Sequence, residues 1–442
     1  MNNGSRHARR GALAAGAVFA AALACAGPSR QHKVGLNAKL ASRDFAGAAR
    51  QLEESRGIEY RDKDSVLFWL DSAAVLHDAG RFSESDLVLD RAEQRLDELY
   101  TQSVSKAAGT FLLNDAADDY RGDPHERSLL HVLRALNYAY LGRTDEAMVE
   151  ARKVSAFLDE LSAKTGTKLA YRDDAFAQYL SALFFEDGGR LDDARISYQA
   201  AHAAYGGYSS AFGTPEPAFD LGAPAPDDGE VVFLHYAGVA PRRQSRTIQV
   251  AWNDAIAVVR SSGGDDDNEK VKKALVAGLS QDAITVAFPE HVQDPFQVAG
   301  SEIEVSGRRA RTQLVEDISA ISKRALDDRI AAIRTRAIVR ATIKYIVAKL
   351  AAEETDRNAG RGWGLLAGIV TRATGAALEI ADTRCWSTLP ATIRMARVRA
   401  PAGKQAVEVR YLSGGGEVVQ AETLEIEVKP GKRTYVHVRT AL

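Results

Sequence analysis

Only two cysteines, Cys25 and Cys385, occur in the 442 residues, so no disulfide framework can hold this fold together. Charge of one sign is also missing: 57 basic residues face 59 acidic ones, which gives no general pull toward nucleic acid. Beyond the first thirty residues no apolar run is long enough to cross a bilayer, and the apolar stretch 363–370 is soon followed by Arg372. Signatures of catalysis are absent too. There is no G-x-x-x-x-G-K-[ST] loop, no G-x-S-x-G elbow and no H-E-x-x-H pair. The nine histidines are scattered, and His125 and His131 fall on different sides of a helix, so neither metal nor cofactor is expected. The acidic run Asp265-Asp266-Asp267-Asn268-Glu269 lacks the glycine of a calcium loop and reads as an exposed loop. Cys385 has no histidine near it in sequence and reads as a buried, inert thiol.

What is present begins at the N-terminus. Arg6, Arg9 and Arg10 precede an uncharged apolar run from Gly11 to Ala24, the length of a signal-peptide core. It ends Ala22-Leu23-Ala24-Cys25, which resembles the lipobox of bacterial lipoproteins, although Leu23 stands two rather than three places before the cysteine. The same residues also satisfy an ordinary A-x-A secretory site. The lipobox resemblance implies that residues 1–24 are removed, that Cys25 is lipidated, and that 25–36 form a flexible tether. Ala26 in the next position implies the periplasmic face of the outer membrane.

From Asn37 to Tyr205 the sequence predicts paired helices. Four turns share one grammar: Arg43-Asp44-Phe45, Gly80-Arg81-Phe82, Gly142-Arg143-Thr144 and Gly189-Arg190-Leu191. Each is followed three places after its last residue by a small one, Ala48, Ser85, Ala147 or Ala194, which lets the second helix approach the first. Glycine just past a helix supplies the left-handed cap. This is the turn of a tetratricopeptide (TPR) repeat, but only the first interval comes near the ~34 residues of that repeat. Asp123-Pro124-His125-Glu126 has the cap, proline and acid of a helix start, and Asp173 is placed to cap the next helix. Asp118, Asp119, Tyr120, Arg121, Tyr171 and Arg172 are candidates for a polar partner-binding face, with capping and loop solvation as the plainer explanation of the same stretch.

Residues 206–229 mix Pro215, Pro217, Pro224 and Pro226 with five glycines and read as a linker. Strand-like runs follow at Val231–Tyr236, Thr247–Trp252, Ala283–Phe288 and Ser301–Ser306. Leu424, Ile426 and Val428 alternate and then turn at Lys429-Pro430-Gly431-Lys432 into Thr434, Val436 and Val438, a predicted terminal hairpin. A long helical insertion, about 316–381, separates the strand sets. Its basic side carries Arg334, Arg336, Arg340 and Lys344, candidates for gripping peptidoglycan or anionic lipid; a merely solvated face is the alternative.

The stretches Phe111–Lys153, Tyr171–Glu186 and Ala381–Val398 ("ADTRCWSTLPATIRMARV") look like an uncharacterised family of bacterial TPR-containing lipoproteins. That resemblance implies an envelope location and an architecture, and carries over no catalytic residue. The expected whole is an α+β, multidomain chain: an all-α TPR-like solenoid (37–205), a linker (206–229) and a mixed domain (230–442). The function expected is a protein-interaction scaffold holding a peptide or helix of another envelope protein, without enzymatic activity. A peptidoglycan- or carbohydrate-modifying enzyme with its site in the C-terminal half is the alternative.

Overall fold

The computed structural model describes residues 27–103, 118–165, 170–171, 173–218, 222–359 and 381–441. Cys25 and Arg172 lie outside these residues, as does nearly all of the apolar stretch after the basic helix.

The chain is α+β. Among the described residues eight α-helices come first: α1 (Arg30–Ala41), α2 (Phe45–Ser55), α3 (Ser65–Asp78), α4 (Phe82–Ser103), α5 (Pro124–Tyr140), α6 (Thr144–Thr165), α7 (Ala175–Asp187) and α8 (Leu191–Phe212). They pack in sequence order, each on the next. The turn grammar explains why. Gly80, Gly142 and Gly189 take φ near +70°, and Arg43 takes the same left-handed conformation at φ 55°. Ala48, Ser85, Ala147 and Ala194 are all buried at the closest approach of their helix pairs. Asp123 and Glu126 form the expected capping box on α5. The cap of α7 is Asp174, one residue later than expected, accepting from the backbone N–H of Ala177 at 2.8 Å.

Two boundaries move. The segment expected to be a tether is helical from Arg30, with Leu36 in the core. The expected linker begins inside α8, which continues to Phe212 before Gly213 closes it in the left-handed region.

Next come β1 (Asp228–Ala237), β2 (Arg242–Ala251), α9 (Trp252–Ser262), α10 (Asp265–Val276), β3 (Ala283–Val292), β4 (Val298–Val305), β5 (Arg308–Arg311), β6 (Gln313–Asp317), α11 (Ile318–Ala359), β7 (Thr392–Pro401), β8 (Gly403–Ser413), β9 (Val418–Val428) and β10 (Arg433–Thr440). Two four-stranded sheets, ordered β10-β1-β7-β6 and β5-β4-β8-β9, pack face to face. β1 is the central strand and is buried on both sides. Val231 and Phe233 point into the sandwich, whereas Val232, Leu234 and Tyr236 join the core of the helices. Alternation puts successive side chains on opposite faces, so an unbroken apolar run here means two covered faces.

The predicted terminal hairpin does not form. Gly431 makes its turn at φ 64°, but β9 pairs with β8 while β10 crosses to the other sheet and runs parallel to β1. The acidic run expected to be a loop instead opens α10, where three aspartates fill the first turn. Carboxylates there are favoured by the positive end of the helix dipole. Glu316, expected to begin the long helix, belongs to β6. α11 spans two cores: Ile318 and Ile321 sit in the main one, while Ala337, Val339, Ile343 and Ile346 pack with β2, β3, α9 and α10 in a separate small module. Among the described residues no helix is long and apolar enough to cross a membrane.

Candidate functional site

The alternate helices α1, α3, α5 and α7 turn their inner faces toward the sheet, and the polar side chains of the chain concentrate along this seam. At its centre is the start of α5. Asp123 accepts from Arg243 of β2 and, at 2.8 Å, from Arg329 of α11. Burial opposes the charge, but the two guanidinium groups prevail and hold the carboxyl well below its usual range. Glu126 accepts from Tyr120 Oη at 2.5 Å and from the backbone N–H of Asp123 and Trp386 at 2.8 and 2.7 Å. Burial, and then Asp123, push its pKa up. His125 stands between Asp123 and Asp174, and burial lowers it to about 4.

Arg384 of the segment before β7 closes one side. It donates to Asp64 at 3.0 Å, to Asp382 and to the carbonyl of Asp118, and it lies over the ring of Tyr120. Cys385 beside it is buried and its thiol is pushed up, as expected of an inert cysteine. Toward α7, Tyr171 and Ser128 each donate to Asp174 at 2.7 Å. Further along, Glu230 of β1 is enclosed between Arg397 and Arg433, and Arg433 reaches Glu186 and Asp187 of α7 at 2.5 and 2.6 Å. At the other end His77 of α3 touches Asn137 and, at 3.2 Å, the hydroxyl of Tyr236. Asp71 accepts from Thr388 at 2.8 Å.

The predicted partner-binding residues therefore separate. Tyr120 and Tyr171 are buried in the seam, Asp119 is half-buried and reaches Arg95 at 3.4 Å, and Asp118 and Arg121 are exposed. They do not form one open face, and the capping explanation accounts for the neighbouring Asp123 and Asp174. The predicted anion-binding set divides as well. Arg334 and Arg336 are exposed, Arg334 lying over the Phe288 ring, while Lys344 is half-buried and Arg340 is buried in the small module.

Two constellations that the sequence hid have the outline of chemistry. Ser301 Oγ lies 2.9 Å from His235 Nδ1, whose Nε2 lies 2.8 Å from Thr440 Oγ1. A carboxylate orients the histidine in a hydrolase triad; here a hydroxyl does, inside the sandwich, where burial lowers His235 to about 3. Glu93, His131 and Glu150 bring ligand atoms within 4.8 Å of one another. Both carboxylates are already engaged by Lys153, at 2.8 and 3.1 Å, and by Arg134. That charge balance is an ion-pair network and leaves no uncompensated acid for a metal. Neither constellation has a local sequence signal, because its members come from different elements that only folding brings together.

No family model matches the chain, and no curated protein or solved structure is significantly similar to it.

Proposed function

We propose that the mature chain is a lipid-anchored scaffold of the cell envelope, whose TPR-like helical pairs bind a partner on their outer face. A TPR solenoid is built of helix hairpins; in such arrays the partner commonly lies in the inner groove. In this chain the sheet occupies that place, so the surface left to a partner is the outer one. One observation carries the choice. Leu87, Val149 and Ile196 are each the sixth residue of an outer helix, α4, α6 and α8, and each is largely exposed, at 64%, 46% and 57%. Exposed apolar residues scattered singly need no explanation, but a recurrent set on neighbouring elements does.

The test uses the full chain. Leu87→Ser, Val149→Ser and Ile196→Ser together should leave stability nearly unchanged, since exposed substitutions usually shift it by about 0.5 kcal/mol or less each. Capture of an envelope partner from solubilised membranes should be lost. Capture equal to wild type by the folded triple variant would contradict the reading. The anchor is tested separately: palmitate should label the wild type and not Cys25→Ala.

A further inference from the structure

We infer that the turn around Ile58 is a membrane-contacting loop, which dips an isoleucine between lipid headgroups beside the anchored N-terminus. The inference rests on the proposed lipidation of Cys25 and adds the orientation of the body on the bilayer.

The geometry starts at the first described residues. Gly27 packs its backbone against the Arg384 side chain so closely that a Cβ there would lie 2.5 Å from Cγ, and its φ is 71°. Pro28 is buried, and α1 begins at Arg30. A lipidated Cys25 would be two residues from this fixed point. Two extended residues span at most about 7 Å, so the surface next to Gly27 has to lie against the headgroups.

That surface holds the turn between α2 and α3. Ser29 ties the two together: its backbone N–H and its hydroxyl both donate to the carboxylate of Glu59, at 2.7 and 2.9 Å. The turn is closed by its own backbone. Gly57 N donates to Tyr60 O at 2.7 Å, and Ile58, Glu59 and Tyr60 all donate to the carbonyl of Ser55. Gly57 supplies the left-handed step at φ 79°, with nothing near the place of a Cβ. Below the turn Tyr60 is buried and donates to Asp71 at 2.8 Å, which fixes the turn to the body.

Ile58 stands on top of this turn at 74% exposure. A constrained loop that presents a branched apolar side chain to water has no folding advantage from doing so. The flanks carry both signs: Arg30, Arg56 and Arg61 are exposed, as are Glu53, Glu54 and Asp62, while Glu59 is turned inward to Ser29. A single apolar residue on a turn is too little to hold a protein on a membrane unaided, but it suffices to orient one that a lipid already tethers.

The experiment uses the full lipidated chain, reconstituted into vesicles of phosphatidylethanolamine and phosphatidylglycerol. An environment-sensitive fluorophore is attached through Ile58→Cys, and in a second sample through Val276→Cys, an equally exposed site in the small module. Cys385 is buried and should not take the label. The label at position 58 should shift to the blue and be quenched by nitroxide-bearing lipid, while that at position 276 stays as in water. Equal, water-like signals from both positions in a chain that does take up palmitate would overturn this inference and leave the anchor standing. A wild-type chain without palmitate label would take both down.

Discussion

The inner helices α3, α5 and α7 and the outer helices α4, α6 and α8 are built from the same turns, yet their polar residues live in different worlds. On the outer row the turn arginine meets the acid three places on in every pair: Arg81 with Glu84, Arg143 with Glu146, Arg190 with Asp193. All three pairs lie near or in solvent, where such bridges contribute little. On the inner row Asp71, His77, Asp123, Glu126 and Asp187 find partners in strands or in the segment leading to β7. Burial makes those pairings obligatory, because a buried charge that loses its partner costs far more than the pair contributed. The difference is made by the sheet that covers one row and not the other.

The sharpest break of this comparison is at Glu230. Glu230→Gln leaves Arg397 and Arg433 buried against a neutral group and should cost about 3–5 kcal/mol. Glu84→Gln on the outer row should leave stability nearly unchanged. Urea unfolding of both variants measures the gap, and similar losses would erase the distinction between the rows. Next in size is packing between the rows. Ala147→Leu pushes a larger side chain into the closest approach of α5 and α6 and should cost about 1–3 kcal/mol, against little change for Val149→Leu two residues away on the exposed side; thermal melts distinguish them.

Acid should act on the buried histidines of the inner row and of the sheets. Burial lowers His77 and His125 to about 4 and His235 and His291 to about 3. A histidine whose folded pKa is depressed contributes stability that is complete above its unfolded value near 6.5 and lost as pH falls toward the folded one. Asp71 and Asp78, raised to about 6 by burial, work in the opposite sense, favouring the fold below about 4 and losing that as pH rises through 6. Glu126, Asp174 and Glu316 are raised by burial as well, so carboxyls and histidines oppose each other over this window; His77→Gln removes one histidine's share, and its melting temperature should fall less, or rise more, than that of the wild type between pH 6.5 and 4. A variant whose melting temperature follows pH as that of the wild type does would contradict the assignment of His77 as desolvated.

Much of the outer architecture was legible. Positive-φ glycines, the small residues Ala48, Ser85, Ala147 and Ala194, and the cap at Asp123 are local signals, and local signals survive folding. What covers the inner face was not legible. Glu230 and Arg397 are 167 residues apart, and neither looks unusual in its own neighbourhood. The Lys429–Lys432 turn reads alike whether the next strand returns to its neighbour or changes sheets. Arg340 looked exposed because its helix was read alone, whereas the small module buries it. The candidate site suffered most, since Tyr120 and Tyr171 show as polar rings in sequence and as buried donors in the fold.

The smallest expected effect concerns the one repeat that departs from glycine. Arg43 holds φ 55° and clamps Glu422 with both terminal nitrogens, at 2.8 and 2.9 Å. Arg43→Gly loses the clamp but relieves the backbone, so it should be more stable than Arg43→Ala by about 1 kcal/mol. Equal stabilities of the two variants would mean that the left-handed step is not strained there.

The most direct test of the central claim, that the sheet and the inner helices form one cooperative unit, is hydrogen exchange of the whole chain across a urea titration. Amides of α3, α5 and β1 should lose protection in the same transition. Helices that keep their protection after β1 has lost it would show two independent domains, and the inner face would then be a groove only loosely covered.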